Sequence, residues 1–138
     1  AYGHICGIII CALVFVDGMK ALGMLKALTD AMITHPEIAK FSTGFGPYLL
    51  GVISGSGDAA ATAFNRAVTI NAAQFNMNPL SMGSLAVLGG ALGRAMSPLA
   101  GAAIICATYA NVSPMDVAKR NALGMFLGCL VGSFLLVF

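Results

Sequence analysis

The residue types that could bind a small charged molecule are concentrated in one stretch of the chain. Residues 51–65 read GVISGSGDAAATAFN and combine hydroxyl, carboxyl and amide side chains with glycines. Glycine adopts backbone conformations that other residues avoid, so these oxygens could be held in a tight turn around a cation or a polar substrate. The candidate ligands are Ser54, Ser56, Asp58, Thr62 and Asn65, and the candidates for backbone shape are Gly55 and Gly57.

A second candidate group lies in the middle of the long apolar run at residues 80–110. Its charged member is Arg94. On insertion scales, a central arginine costs at least about 2.5 kcal/mol in a bilayer, so it should face water, an acidic partner or an anionic ligand. An ion pair with Asp58 and a bound carboxylate are equal alternatives at this stage. The group consists of Arg94 and Ser97 as candidate ligands, with Gly89, Gly90, Gly93 and Pro98 as candidates for backbone shape.

The composition indicates a membrane protein. Of the 138 residues, 59% are hydrophobic and only 9% are charged, whereas soluble domains carry about 25% charged residues. The net charge of +2 is too small to indicate nucleic acid as a partner. The four cysteines lie inside apolar runs without paired spacing, so we predict neither a metal nor a cofactor. The expected fold class is an all-α polytopic membrane protein.

The alternation of apolar and polar runs predicts five elements. The first apolar run is too short to span a membrane by itself, so the chain is expected to be a piece of a longer protein. The predicted elements are the end of a transmembrane helix at 1–16, an interfacial amphipathic helix and linker at 17–43, a re-entrant hairpin at 44–76, a broken transmembrane helix at 80–110, and a connector with the last transmembrane helix at 111–138.

The hairpin and the broken helix together predict an enclosed site. The arms of the hairpin, at residues 45–53 and 59–73, are shorter than the about 20 residues needed to span a bilayer. Its polar tip is tolerated only inside protein or beside a wet cavity. Glycines and a proline within residues 80–110 favour two half-helices joined by unwound backbone. Half-helix N-termini suit carboxylates and unwound carbonyls suit cations, an arrangement typical of secondary carriers.

Local signals mark where the helices should begin and end. Pro36 is expected to end the amphipathic helix, because the residue before a proline avoids the helical region. Residues 37–46 should then form a polar, turning approach to the hairpin. Ser113 is a plausible N-cap with Pro114 in the first turn of the last helix. That helix carries a small-residue face suited to close packing, formed by Gly124, Gly128 and Gly132.

At these same residues the chain resembles the anaerobic C4-dicarboxylate carriers of the DcuC family, within the wider ion-transporter superfamily. The resemblance rests on residues 51–65, on GSLAVLGGALGRAMSPLAGAAIICA at 83–107, and on SPMDVAKRN at 113–121. It covers most of the chain as the C-terminal part of such a carrier. It implies the second half of an inverted-repeat carrier of the bacterial inner membrane, in which each repeat has a hairpin and a broken helix.

The resemblance also implies a function. The chain would belong to a secondary active transporter of C4-dicarboxylates such as succinate, fumarate or malate, and it would not be an enzyme. Its partners would be the dicarboxylate, the lipid bilayer and the rest of the same carrier chain, with a homodimer left open. Related carriers have Ser-Asn-Thr at the hairpin tip, whereas this chain has Ser-Gly-Ser-Gly-Asp. Both H⁺ and Na⁺ therefore stay open as the coupling ion.

Two other classes of function compete with a carrier. Residues 55–58 read GSGD and match the G-x-G-D of intramembrane aspartyl proteases. Such catalysis needs two carboxylates in one site, and Asp17 is the upstream candidate for the second. A pore-lining piece of a channel would share the hairpin without needing a broken helix that moves. For Asp58 itself, the plain structural alternative is that it caps the second arm of the hairpin.

Overall fold

The computed structural model describes residues 36–137 together with positions 10, 14, 18 and 21–23. All regular structure within 36–137 is helical, which confirms the predicted all-α class for that part of the chain. Nearly all of the predicted helix end at 1–16, and most of the predicted interfacial helix and linker at 17–43, lie outside the described residues. The helices are α1 (Pro36–Ser54), α2 (Gly57–Ala67), a 3₁₀-helix (Thr69–Phe75), α3 (Pro79–Met96), α4 (Gly101–Ala110) and α5 (Pro114–Val137).

Helix α1 begins earlier than the sequence predicts. The expectation of a turning approach at residues 37–46 is wrong, because all of them are helical. Pro36 lies in the first turn, where a fixed φ and a missing N–H are compatible with a helix. With 19 residues, α1 is about 28 Å long, close to the thickness of a bilayer core. The first arm of the hairpin is therefore longer than predicted.

The turn between α1 and α2 is formed by two residues. Gly55 has a φ of +69°, a conformation that favours glycine. Ser56 is the N-cap of α2, and its side chain accepts a hydrogen bond from the backbone N–H of Ala59 at 3.3 Å. This local chemistry reverses the chain and starts the second helix at once. Behind the turn the two helices pack together, with Gly46 of α1 facing the ring of Phe64.

Helix α3 is the centre of the described fold, since it contacts α1, α2 and α5. Its glycines place bare backbone against the hairpin. A Cβ atom at Gly90 would lie 2.5 Å from the carbonyl oxygen of Gly57 in α2. Two further glycines of α3 face α1. A Cβ atom at Gly89 would overlap with the carbonyl oxygen of Gly44, and a Cβ atom at Gly93 would overlap with that of Tyr48.

These contacts correct the predicted role of the glycines. We expected Gly89, Gly90 and Gly93 to unwind the helix, but α3 continues through them to Met96. Packing against the hairpin compensates for their low helix propensity, as tertiary contacts do for most helices in proteins. The break in the predicted spanning run is confined to residues 97–100, and α4 follows it. Among the described residues, Pro79–Ala110 is long and apolar enough to cross a bilayer.

Helix α5 packs against both α3 and the first helix of the hairpin, α1. Ser113 accepts a hydrogen bond from the backbone N–H of Met115 at 3.2 Å, as expected of the predicted N-cap. Two of the three predicted packing glycines contact α3, Gly128 through Leu92 and Gly132 through Leu88. The third, Gly124, has nothing within 4 Å of its Cβ position.

Candidate binding site at the hairpin tip and the helix break

The tip of the hairpin lies directly against the break between α3 and α4. A Cβ atom at Gly55 would lie 2.9 Å from the carbonyl carbon of Leu99 and 3.1 Å from the backbone nitrogen of Ala100. The hydroxyl of Ser97 donates a hydrogen bond to the carbonyl oxygen of Val52 at 2.7 Å. The two regions that the sequence singles out are therefore neighbours in space.

Ser97 holds the break in place. Its side chain is fully buried. The same hydroxyl that donates to Val52 accepts a hydrogen bond from the backbone N–H of Leu99 at 3.2 Å. Both hydrogen bonds are internal, so in this conformation Ser97 joins α1 to the unwound segment and does not face open space.

The serines of the tip also bond to nearby backbone. Ser54 donates to the carbonyl oxygen of Leu50 at 2.6 Å and accepts from the N–H of Ser56 at 3.2 Å. Ser56 in turn caps α2. Both hydroxyls thus shape the turn, and Ser54 remains exposed at its outer side.

Asp58 lies in the first turn of α2 with an exposed side chain. The alternative that it merely caps this helix is wrong, because Ser56 supplies the cap. A carboxylate in the first turn is still favoured by the partial positive charge of a helix N-terminus. Between the described side chains of Asp58 and Arg94, the structure forms no ion pair.

Thr62 and Asn65 lie farther along α2, one and two turns beyond Asp58, and both are half-buried. The side-chain oxygen of Asn65 accepts a hydrogen bond from the hydroxyl of Thr69 at 2.8 Å. The predicted ligands of α2 therefore extend away from the tip and do not converge on one point.

Arg94 lines a cavity of about 350 Å³ that lies between α3, α4 and α5. This volume is at the lower end of the range for small-molecule pockets, about 300–1,000 Å³. Arg94 is the only charged residue in the lining of this cavity. The lining contains five alanines, an arginine, a cysteine, a valine and an asparagine, namely Ala91, Arg94, Ala95, Ala100, Ala102, Ala103, Cys106, Val117 and Asn121.

The first turn of α4 forms one wall of this cavity. Ala100 is its N-cap and makes no side-chain capping hydrogen bond. The first N–H groups of a helix have no partner within the helix, and they carry partial positive charge. Ala102 and Ala103, which follow the cap, both line the cavity. Arg94 and residues of the positive end of α4 thus border the same space, a combination that suits a carboxylate.

Sequence reasoning missed two polar residues of the cavity. Asn121 donates from its side-chain nitrogen to the carbonyl oxygen of Ala95 at 3.3 Å, linking α5 to the last turn of α3. Cys106 of α4 is exposed and lines the cavity. The available signal was an amide at the start of the apolar run 121–138, which we used only as a boundary.

The comparisons with known proteins agree with the resemblance in the sequence. The chain is 44% identical to an uncharacterized transporter of Haemophilus influenzae over 130 residues, which are 94% of this chain and 47% of that protein. It is 25% identical to the anaerobic C4-dicarboxylate transporter DcuC of Escherichia coli K12 over 95% of its length, and 26% identical to a Vibrio cholerae protein named as a probable DcuC over 99%. No protein-family profile matches the chain, and no solved structure matches it.

The predicted resemblance to DcuC carriers is thereby confirmed. The chain spans about half the length of the Haemophilus relative and 29–31% of the DcuC relatives. All three relatives are named as transporters and none as an enzyme, which agrees with the prediction that this chain is not an enzyme. They give no support to the aspartyl protease alternative, and its candidate second carboxylate, Asp17, lies outside the described residues.

Proposed function

We propose that this chain forms part of a secondary active transporter of C4-dicarboxylates such as succinate, fumarate or malate. The observation that carries the proposal is the shared cavity of Arg94 and the uncapped N-terminus of α4 beside the helix break. Both groups favour a carboxylate, and the names of the DcuC relatives support a dicarboxylate as the substrate class. Transport would be uptake, efflux or exchange driven by an ion gradient.

The proposed architecture follows the carrier to which the chain is similar. Helices α1 and α2 form a re-entrant hairpin, α3 and α4 form one discontinuous transmembrane helix, and α5 is the last transmembrane helix. The chain is the second half of an inverted repeat in a multi-pass protein of the bacterial inner membrane. The rest of the carrier chain packs against it, and two such carriers form a homodimer.

In the proposed site, Arg94 grips one carboxylate of the substrate. The serines of the tip shape the turn, and Ser97 positions the break. Asp58 is the residue that would bind the coupling ion, whether H⁺ or Na⁺. Thr62 and Asn65 continue the polar surface along α2. The tip-side residues Gly55 and Gly57 allow the close contact with the spanning segment that brings these groups together.

The test is Arg94→Lys, which keeps the positive charge but loses the fork that binds a carboxylate at two points. Losing one hydrogen bond between charged groups costs roughly 1.5–3 kcal/mol, so uptake of labelled succinate by cells with the full-length carrier should fall about tenfold or more. The matched control is Arg120→Lys, an exposed arginine at the start of α5, which should transport normally.

Membrane abundance is measured for both variants, so that loss of protein is not mistaken for loss of transport. Uptake by Arg94→Lys equal to that of the parent, at equal abundance, would remove Arg94 from the site. Failure of the parent carrier to move any C4-dicarboxylate would contradict the proposed substrate class.

A further inference from the structure

The outer surfaces of the described helices differ in polarity. On α4 and on the part of α5 after Asn121, most exposed side chains are large and apolar, with Tyr109 90% exposed, Leu123 71% and Leu135 78%. Such faces are suited to lipid. The outer face of α2 is polar instead. Its exposed residues are Asp58 and Arg66, and the half-buried Thr62, Asn65 and, in the following 3₁₀-helix, Thr69 lie beside them. We call Asp58, Thr62, Asn65 and Thr69 the α2 stripe.

The α2 stripe follows from the helical period. Its members recur at spacings of four, three and four residues, which places them on one side of the helix. The other side of α2 is buried against α1 and α3, and it consists of small or aromatic residues. These buried residues include Gly57, Ala60, Ala61, Phe64 and Ala67.

Helix α3 runs beside the α2 stripe. The Cβ position of Gly83 lies 3.9 Å from the side-chain oxygen of Asn65 and 3.9 Å from the methyl carbon of Thr69. From Gly83 toward the break, the same side of α3 exposes Val87, Ala91 and Arg94, at spacings of four, four and three. We call this the α3 face.

The α3 face leads into the cavity beside the break. Ala91 and Arg94 both line that cavity. Near the tip of the hairpin, the Cβ position of Gly57 lies 3.1 Å from the Cα of Ala91. Asp58 follows Gly57 in the chain and is the first residue of the α2 stripe, so the stripe begins close to Ala91. The stripe and the face thus border one continuous surface, from Thr69 and Gly83 at one end to Arg94 at the other.

We propose that the α2 stripe and the α3 face line a water-filled passage, which connects the Thr69 end of the hairpin with the Arg94 cavity. A carboxylate, an amide and two hydroxyls along one helix face are costly toward lipid and need water or protein beside them. From Asp58 to Thr69 the passage is about 16 Å long at the rise of an α-helix. This proposal rests on the proposed function, because it assumes a carrier in a membrane.

The test uses single cysteines in the full-length carrier after its native cysteines have been replaced. The variants are Thr62→Cys and Asn65→Cys in the stripe, with two controls: Val131→Cys on the exposed apolar face of α5 and Ala63→Cys on the buried side of α2. Carriers in sealed membrane vesicles are treated with a sulfonated methanethiosulfonate, which does not cross the bilayer. The rate of thiol labelling is then measured from each side of the membrane.

We expect both stripe cysteines to react at least about tenfold faster than both controls, because thiolate formation needs water. The faster reaction should come from one side of the membrane only. Labelling of Thr62→Cys and Asn65→Cys no faster than that of Val131→Cys would overturn the proposal, and it would mean that other protein covers the stripe.

The outcome is separable from that of the proposed function. Labelling needs no substrate, so fast labelling in a carrier that moves no dicarboxylate would support the passage and contradict the substrate class. Normal succinate uptake with slow labelling at both stripe positions would contradict the passage and leave the carrier assignment intact.

Discussion

Small residues line two sides of α3, and their structural roles differ between the two sides. On the side of the hairpin, glycines bring helix backbones into direct contact, and any Cβ at Gly89 or Gly93 would overlap with a carbonyl oxygen of α1. On the side of α4 and α5, alanines surround a cavity of about 350 Å³ that contains Arg94. Glycine serves where backbone must touch backbone, and alanine serves where space must remain.

This difference separates the rigid part of the molecule from the part that can bind. The hairpin and α3 are in direct contact through backbone atoms, which cannot change rotamer to make room. We therefore expect the hairpin and α3 to move as one rigid body. The cavity side has room for a ligand and an unwound segment at its edge. A change on the hairpin side should therefore affect stability first, and a change on the cavity side should affect transport first.

The largest effect on stability is expected for Gly93→Ala. The new Cβ would overlap with the carbonyl oxygen of Tyr48, so the helices must separate, and overpacking of this kind costs about 1–3 kcal/mol or more. The matched control is Gly124→Ala on α5, where nothing lies within 4 Å. That change should be neutral or stabilise by up to about 1 kcal/mol.

Thermal unfolding of the purified full-length carriers in detergent measures both variants. A clearly lower unfolding temperature for Gly93→Ala than for Gly124→Ala is the expected result. Equal unfolding temperatures would show that the contact between α3 and the hairpin is not the tight backbone contact described.

A smaller effect is expected at the tip, where Ser56→Ala should destabilise by about 1 kcal/mol through the lost N-cap of α2. Asp58→Asn should change the free energy of unfolding less, since Asp58 lies in the first turn of α2 and does not cap it. The same variant should lose accumulation of succinate against a gradient if Asp58 serves the coupling ion, while exchange across vesicles continues.

The comparison of Ser56→Ala with Asp58→Asn is made by thermal unfolding, and transport is followed in reconstituted vesicles. A greater loss of stability for Asp58→Asn than for Ser56→Ala would show that Asp58 caps α2. Unchanged accumulation in Asp58→Asn would move the coupling site elsewhere in the carrier.

Local signals made the turn of the hairpin predictable from sequence. Gly55 adopts the positive φ that a tight turn requires, as its residue type predicted. The N-cap of α2 is Ser56, a residue type favoured at this position, and not the predicted alternative Asp58. Ser113 and Pro114 marked the start of α5 for the same reason. Each of these features depends on residues within a few positions of one another.

The errors concern contacts between residues far apart in the chain. Gly89, Gly90 and Gly93 could unwind a helix or pack it, and only the position of the hairpin decides between them. The helix at residues 37–46 was also missed, because α3 and α5, against which it buries its apolar residues, are far away in the sequence. The contact of Asn121 could not be predicted from its amide alone, because its partner, Ala95, lies 26 residues away.

The most direct test of the central claim uses Cys106, which lines the cavity with Arg94. The purified full-length carrier would keep this cysteine alone, and its labelling by a small thiol reagent would be timed with and without saturating succinate. We predict that succinate slows the labelling several-fold in the parent, that butyrate does so less, and that Arg94→Lys abolishes the protection. The same rate with and without succinate in the parent would contradict the claim that this cavity holds the substrate.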